Sequence, residues 1–184
     1  DKLSKEHDLV IVSDYGHGII TPRIAEHISN SDKFVSLNAQ VNAANIGTHN
    51  IRKYHNVNCL IINESELRHE LRQREGDVEE MAVTLKDMIS SKYIAVTQGK
   101  SGAFLIKNNK NPERSPGFAA QVIDKIGSGD ALLALLSVCL HSNLDEKLSL
   151  LIGSLAAAQS VETVGNSVPV SKRKLLKTIS HLLK

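Results

Sequence analysis

Tryptophan is absent, phenylalanine and tyrosine occur three times each, and aromatic residues make up only 3% of the 184-residue chain. Nucleic-acid binders usually combine a basic stripe with aromatic rings that stack on bases. Here 22 Lys and Arg stand against 20 Asp and Glu, interleaved in sign, for a net charge of +2, so no nucleic-acid partner is expected. Long apolar runs are also missing. The longest, Ala131 to Leu140 with Ser137 inside it, is about half of the ~20 residues a membrane span requires, so no membrane partner is expected. No basic, then apolar, then small-residue start marks a secretory signal. There are two cysteines, Cys59 in a strand-like run and Cys139 in a helix-like run, and they read as reduced core residues of a cytoplasmic protein rather than as a disulfide framework.

What is present is ordinary globular material, 41% hydrophobic and 23% charged, which excludes a disordered, collagen-like or coiled-coil chain. A chain of this length buries roughly 70% of its unfolded surface, so residues 1–184 are expected to form a single domain. Only Asp1 to Asp8 precede the first strand-like run, as in a compact domain or a piece of a larger one.

Leu9-Val10-Ile11-Val12 ends at the glycine-containing loop Ser13-Asp14-Tyr15-Gly16-His17-Gly18, the way a buried parallel strand ends. A helix is expected from Pro22, a strand at Phe34–Leu37, and a polar loop from Asn38 to Asn50. A helical stretch to about Tyr54 leads to a third strand, Cys59–Ile62, then two helices between residues 63 and 90, and a fourth strand, Tyr93–Thr97. Thr97-Gln98-Gly99-Lys100-Ser101-Gly102 joins that strand to Ala103–Ile106 through a short turn, which reads as a hairpin. Asn108–Pro116 reads as a surface loop and Phe118–Ile123 as another strand. Three helices follow, from the Gly127 segment to about Leu140, from Asp145 to about Glu162, and from Ser171 to Lys184. Strands alternating with helices predict a three-layer αβα, Rossmann-like, mostly parallel sheet with one antiparallel edge hairpin.

The most informative segment is Asp124-Lys125-Ile126-Gly127-Ser128-Gly129-Asp130. Two glycines one residue apart, between a strand and an apolar helix, let successive N–H groups turn towards one point, where the helix dipole adds positive potential. Gly127, Ser128 and Gly129 then form an anion hole, and Asp130, in the first helical turn, can accept a proton from an attacking hydroxyl. The plainer reading makes Ser128 an N-cap and Asp130 a first-turn carboxylate favoured by the dipole. Leu132, Leu133, Leu135, Leu136, Val138, Cys139 and Leu140 cover nearly every face of that helix, which predicts central burial. Asn63-Glu64-Ser65-Glu66 lies at a strand's carboxyl end, where α/β sheets place ligands. Asn63 and Glu66 could hold a hydrated Mg²⁺, or could close a capping box.

Other motifs are excluded. Gly99-Lys100-Ser101 would need a glycine at position 94 to be a Walker loop, and Ile94 stands there. Gly16-His17-Gly18 is followed by Thr21 where a dinucleotide fingerprint has its third glycine. The eight histidines lack zinc-binding spacing, and no G-x-S-x-G occurs.

Taken in order, the Asp14 loop, Asn63-x-x-Glu66, Thr97-x-Gly99-x-x-Gly102 and Asp124-x-x-Gly127-Ser128-Gly129-Asp130 resemble the C-terminal part of the ribokinase, or PfkB, family of carbohydrate kinases. The resemblance implies a ribokinase-like fold and transfer of the γ-phosphoryl of ATP to the hydroxyl of a sugar or sugar phosphate, with Asp130 as catalytic base over the Gly127–Gly129 anion hole. It implies that Asn63 and Glu66 serve Mg²⁺ (through water) and the phosphates. Thr97, Gly99 and Gly102 are implied against the nucleotide phosphates and ribose, Asn166 beside adenine, and Asp14 at the substrate. Within the family, the Asp14–Gly18 loop, Asn38–Asn42 and Val164–Asn166 look closest to the heptose-phosphate kinases of ADP-heptose synthesis, often fused to a nucleotidyltransferase. Ser128 replaces a usual Ala without disturbing the backbone hole, and His17 replaces a Lys common in that branch. Lys125-Ile126 replaces a Thr-containing pair, which counts against the monovalent cation implied near Asp124. The family's N-terminal strands, sugar-binding residues and lid have no counterpart here. The chain is therefore expected to be the C-terminal part of a longer protein and to transfer little phosphate alone, and the open edge of its shortened sheet could pair two copies into a homodimer. The alternatives are a non-catalytic nucleotide-binding or assembly module of a larger bifunctional protein, and an unrelated Rossmann-like domain whose motifs are caps and turns.

Overall fold

A computed structural model describes residues 6–40, 51–108, 111–119 and 121–182. Six strands form one mixed sheet in the order β1 (Leu9–Asp14), β2 (Phe34–Ala39), β3 (Cys59–Asn63), β4 (Tyr93–Thr97), β5 (Ala103–Lys107), β6 (Glu113–Ser115). The first four strands are parallel, the edge is antiparallel, and the architecture is a three-layer α/β fold. Chain packing divides into two compact units, residues 1–98 with 104–112, and residues 99–103 with 113–184.

In the first unit the helices are α1 (Pro22–Ser29), α2 (Glu64–Glu70) and α3 (Val78–Met88). Parallel neighbours in sequential order require crossovers of one hand, which puts the intervening helices on one face of β1–β4. Strand alternation matches this arrangement: Val35, Leu37, Leu60, Ile62, Ile94 and Val96 share one core with Ala25, Leu67, Met81 and Leu85. The alternate residues Ser36, Cys59, Ile61 and Ala95 are buried as well, as the continuous apolar runs of a two-sided parallel sheet require. Burial pushes the Cys59 thiol up to about 12, so it stays protonated and unreactive.

The second unit holds α4 (Ser128–His141), α5 (Glu146–Val161) and α6 (Lys172–Leu182). α5 begins where Asp145 Oδ1 accepts the Leu148 amide at 3.1 Å, an N-cap that satisfies one orphan donor. The expectation that α4 is buried all round is corrected: Leu132, Leu133, Leu136 and Leu140 are buried, but Val138 is 48% exposed. A single neighbouring helix covers only part of a helix surface, and α5 is the helix packed most extensively on α4.

Three further expectations change. Phe118–Ile123 is not a strand at its described residues, and the strand lies earlier, at β6, inside the stretch read as a surface loop. A Pro-containing polar segment hid it, because edge strands tolerate both features. The helical stretch near Tyr54 is one 3₁₀ turn, Ile51–Lys53. β2 runs on through Asn38 and Ala39, while residues 41–50 of the expected polar loop, Asn42 included, lie outside the described residues. Among the described residues no helix is long and apolar enough to cross a membrane.

Gly102 adopts φ +92°, and a Cβ there would stand 2.0 Å from the Ser115 carbonyl oxygen and 2.6 Å from the Pro116 carbonyl carbon. Gly99 also has a positive φ of +57°, but nothing lies within 4 Å of a Cβ placed on it. Gly99→Ala therefore meets only left-handed strain, about 1 kcal/mol, whereas Gly102→Ala must also separate two backbones. Urea denaturation is expected to show a loss of about 3 kcal/mol or more for Gly102→Ala. Equal losses for the two variants would contradict this account.

Candidate functional site

Every parallel strand of the first unit ends at the same edge, where the register sets Asp14 beside Ala39 and Asn63 beside Thr97, with Asn38 beside Ile61 just inside it. Carboxyl edges are where open α/β sheets bind ligands. Asn38, 8% exposed, donates from Nδ2 to the Ile61 carbonyl at 2.9 Å and so serves the sheet.

Asp14 is 4% exposed, and both carboxylate oxygens are engaged. Oδ1 accepts the Gly16 amide at 2.9 Å. Oδ2 accepts the Tyr54 hydroxyl at 2.6 Å and pairs with Lys53 Nζ at 2.7 Å. Lys53 Nζ also donates to the Ile20 carbonyl at 2.9 Å. Burial alone would raise the Asp14 carboxyl; the bonds from Lys53, Tyr54 and Gly16 outweigh it and hold it below the usual aspartate value. The same burial, together with the bond to Asp14, pushes Tyr54 well above the ordinary phenol range. Sequence reading found Asp14 but missed Lys53 and Tyr54. They lie about 40 residues away along the chain, in a segment with no periodicity.

Asn63 and Glu66 are brought together, as the plainer reading had it. Asn63 Oδ1 accepts the Glu66 amide at 2.9 Å, and Glu66 Oε2 accepts the Asn63 amide at 3.0 Å, a complete capping box at the start of α2. One residue on, Glu64 Oε2 accepts from Gln98 Nε2 at 3.0 Å and Oε1 pairs with Arg68 at 2.8 Å. These bonds, Gln98 first, hold the Glu64 carboxyl down. Among the described residues no cluster of three or more His, Cys, Asp or Glu could hold a metal ion. Mg²⁺ usually takes one or two carboxylates completed by water and ligand phosphates, and Glu66 is the carboxylate here that would serve it, since both Glu64 oxygens are engaged by Gln98 and Arg68.

In the second unit, α4 starts at Gly127 with φ 81° and no side-chain cap. This corrects the Ser128 N-cap reading: the Ser128 hydroxyl points back to the Lys125 carbonyl at 3.0 Å, and Gly127 is the cap because only glycine enters the left-handed region without penalty. The Gly129 amide has no partner among the described residues, and the space beside Gly129 is open. The Ser128 amide reaches the Lys125 carbonyl at 3.5 Å; unbonded N–H groups at a helix start are where anions generally bind. Asp130 is the acidic residue of the first turn. Just ahead, Asp124 Oδ1 accepts the Ile126 amide at 3.0 Å and Oδ2 the Gly165 amide at 2.9 Å. These two amides hold its carboxyl below the usual range and fasten the loop bearing Asn166 to the glycine segment. Each Asp124 oxygen thus accepts one backbone amide, and a monovalent cation bound there would share both oxygens with the backbone.

The sequence model of the pfkB family of carbohydrate kinases matches residues 23–173. The chain belongs to that family. One curated relative is the bifunctional protein HldE of Campylobacter fetus subsp. fetus (strain 82-40), 29% identical over 168 residues covering 88% of this chain and 35% of the relative. The chain thus spans about a third of the length of the curated relatives it matches. Among solved structures, ribokinase from Thermotoga maritima superposes with a TM-score of 0.78 at 19% identity, covering 98% of this chain and 59% of that one. Arabidopsis thaliana ribokinase, complexed with ribose and ATP, gives 0.76 at 20% identity, covering 96% and 57%. At these identities the likeness establishes that this pfkB chain has the ribokinase-like fold.

The Asp14 pair sets an acid response. Because the folded carboxyl is held below its ordinary 3.8, its contribution is fully present above that value and is lost as pH falls through the lower, folded one. Asp14→Asn is expected to cost about 2–3 kcal/mol at pH 7 by leaving Lys53 unpaired. The difference from wild type should shrink below pH 3.8. Denaturation at stepped pH checks this, and a gap that is constant with pH would contradict it.

Proposed function

We propose that the chain is the C-terminal, ATP-binding and catalytic part of a kinase that phosphorylates a hydroxyl of a sugar or sugar phosphate. The observation that carries this reading is the uncapped start of α4 in a pfkB-family chain: a left-handed glycine, a Gly129 with no partner for its amide among the described residues and open space where its side chain would stand, and a carboxylate in the first turn. Gly127, Ser128 and Gly129 bind negative oxygen of the transferring phosphoryl group through backbone N–H and helix dipole, with no reorganisation at the moment of transfer. Asp130 accepts the proton of the attacking hydroxyl. Asn63 and Glu66 hold hydrated Mg²⁺, whose chemistry is to neutralise phosphate charge. The capping box fixes both side chains before any ligand arrives. Thr97, Gly99 and Gly102 lie against the nucleotide and Asn166 beside adenine, a reading supported by the Asp124–Gly165 bond that fastens the Asn166 loop to the glycine segment.

The acceptor is expected to be a heptose phosphate, with a fused nucleotidyltransferase in the complete protein, in keeping with the bifunctional HldE relatives. The chain covers a minority of those relatives' length, so phosphoryl transfer is expected from the complete protein and little from these residues alone.

In the complete protein, Asp130→Asn is expected to lower kcat by about 10²–10⁴-fold while Mg-ATP affinity by calorimetry stays within about threefold, because the substitution removes the proton acceptor and leaves the amides in place. A variant with full turnover would assign the base elsewhere.

A further inference from the structure

The loop from Tyr15 to Ile19 leaves β1 and returns before α1 with no regular structure of its own, yet its two ends are tied to one point. At the entering end Asp14 Oδ1 accepts the Gly16 amide. At the leaving end the Ile20 carbonyl accepts from Lys53 Nζ at 2.9 Å, and the same ammonium meets Asp14 Oδ2 at 2.7 Å. Lys53 also lies over the Tyr54 ring, 5.4 Å from its centroid, and Tyr54, fully buried, donates its hydroxyl to Asp14. One half-buried cation therefore closes the neck of the loop. The tip is turned outward: Tyr15 is exposed and its ring stands 6.4 Å from that of His17, also exposed, while Ile19 is 82% exposed.

We infer that Lys53 is a positioning residue whose clamp on Asp14 and Ile20 presents Tyr15 and His17 as a preorganised contact for the sugar acceptor. This rests on the kinase reading above and gives Asp14 an internal role in place of direct contact with the substrate. The argument is one of place and cost. The loop emerges at the carboxyl edge that also carries Asn63 and Thr97. A ring and an imidazole on a closed loop can meet a polyhydroxylated or phosphorylated ligand without a further loss of loop freedom. Nothing in the core requires a charge at this depth, since burying an ion pair seldom stabilises more than an apolar replacement does. What the pair supplies is a bonded partner for the Ile20 carbonyl and a fixed loop.

The experiment uses the complete protein with ATP and the acceptor that it phosphorylates. Lys53→Met alone would strand the Asp14 charge and could unfold the chain. The deciding variant is therefore Asp14→Asn/Lys53→Met, which removes both charges, keeps Oδ1 as the acceptor for the Gly16 amide, turns an N–H₂ group to the Tyr54 hydroxyl oxygen, which accepts from it, and leaves Ile20 unclamped. Its KM for the acceptor is expected to rise about tenfold or more with KM for Mg-ATP within about twofold, and hydrogen exchange at the Gly16 amide should accelerate while α3 stays protected. His17→Ala should raise the acceptor KM without touching thermal stability, and Lys53→Arg should restore part of the loss that Lys53→Met shows if it folds. A folded double variant with an unchanged acceptor KM, or with both KM values shifted equally, overturns the clamp alone. A wild-type protein that phosphorylates no sugar or sugar phosphate overturns the kinase reading itself.

Discussion

Parallel pairing is the constraint on which the first unit depends. A parallel strand cannot return through a hairpin, so each must be followed by a crossover, and each crossover leaves from the same edge. With β1 to β4 in sequential order, Asp14, Asn63 and Thr97 are carried to that edge by topology before any side-chain contact is made. The edge is crowded with loop backbone that the sheet no longer satisfies. The side chains found there, Asp14 on the Gly16 amide, Asn63 on the Glu66 amide, Lys53 on the Ile20 carbonyl, are the ones that satisfy it. Residues that end strands and residues that serve a ligand are thus drawn from the same polar set.

The capping box at Asn63 and Glu66 is one case: each residue's side chain accepts the other's orphan amide and closes the start of α2. The helix start of α4 solves its orphan donors in the opposite way. There a glycine stands where an Asn, Asp or Ser would have closed the end, and the Gly129 amide is left unpaired among the described residues. A helix of this length forgoing a side-chain cap gives up roughly 1 kcal/mol, a loss that a bound anion would offset.

How legible all this was follows from the range of each interaction. Strong local signals were sufficient: the apolar runs of β1, β3 and β4, the glycine turn at 99–102, Asp145 ahead of α5, and the glycine pair ahead of α4 all act within a few residues. The errors fell where the deciding partner is distant. β6 is a three-residue strand whose pairing comes from its neighbour and not from its own polar sequence. Val138 sits on a leucine-rich helix yet stays exposed, because burial depends on which faces receive a partner. Lys53 and Tyr54 meet Asp14 across 39 and 40 residues of chain, and no periodicity announces them. Family likeness supplied the functional roles, and composition supplied none of them.

The Asp14–Lys53 pair shows how a costly interaction can be retained for what it holds. Two opposite charges with little access to water regain in mutual attraction roughly what they lose in hydration, so the pair by itself explains neither the depth of Asp14 nor the conformation of Lys53. The Ile20 carbonyl does. A loop of five residues that leaves a strand and must come back to start α1 at Pro22 has no regular structure of its own, and proline at the helix start has no N–H to offer it. Lys53 reaches across from the 3₁₀ turn with three donors on a single nitrogen, and an apolar residue of equal volume would leave that carbonyl without this bond. The ammonium needs a counterion at that depth, and Asp14, already turned back onto Gly16, is the carboxylate within reach. The charge pair is in this sense a consequence of closing the loop.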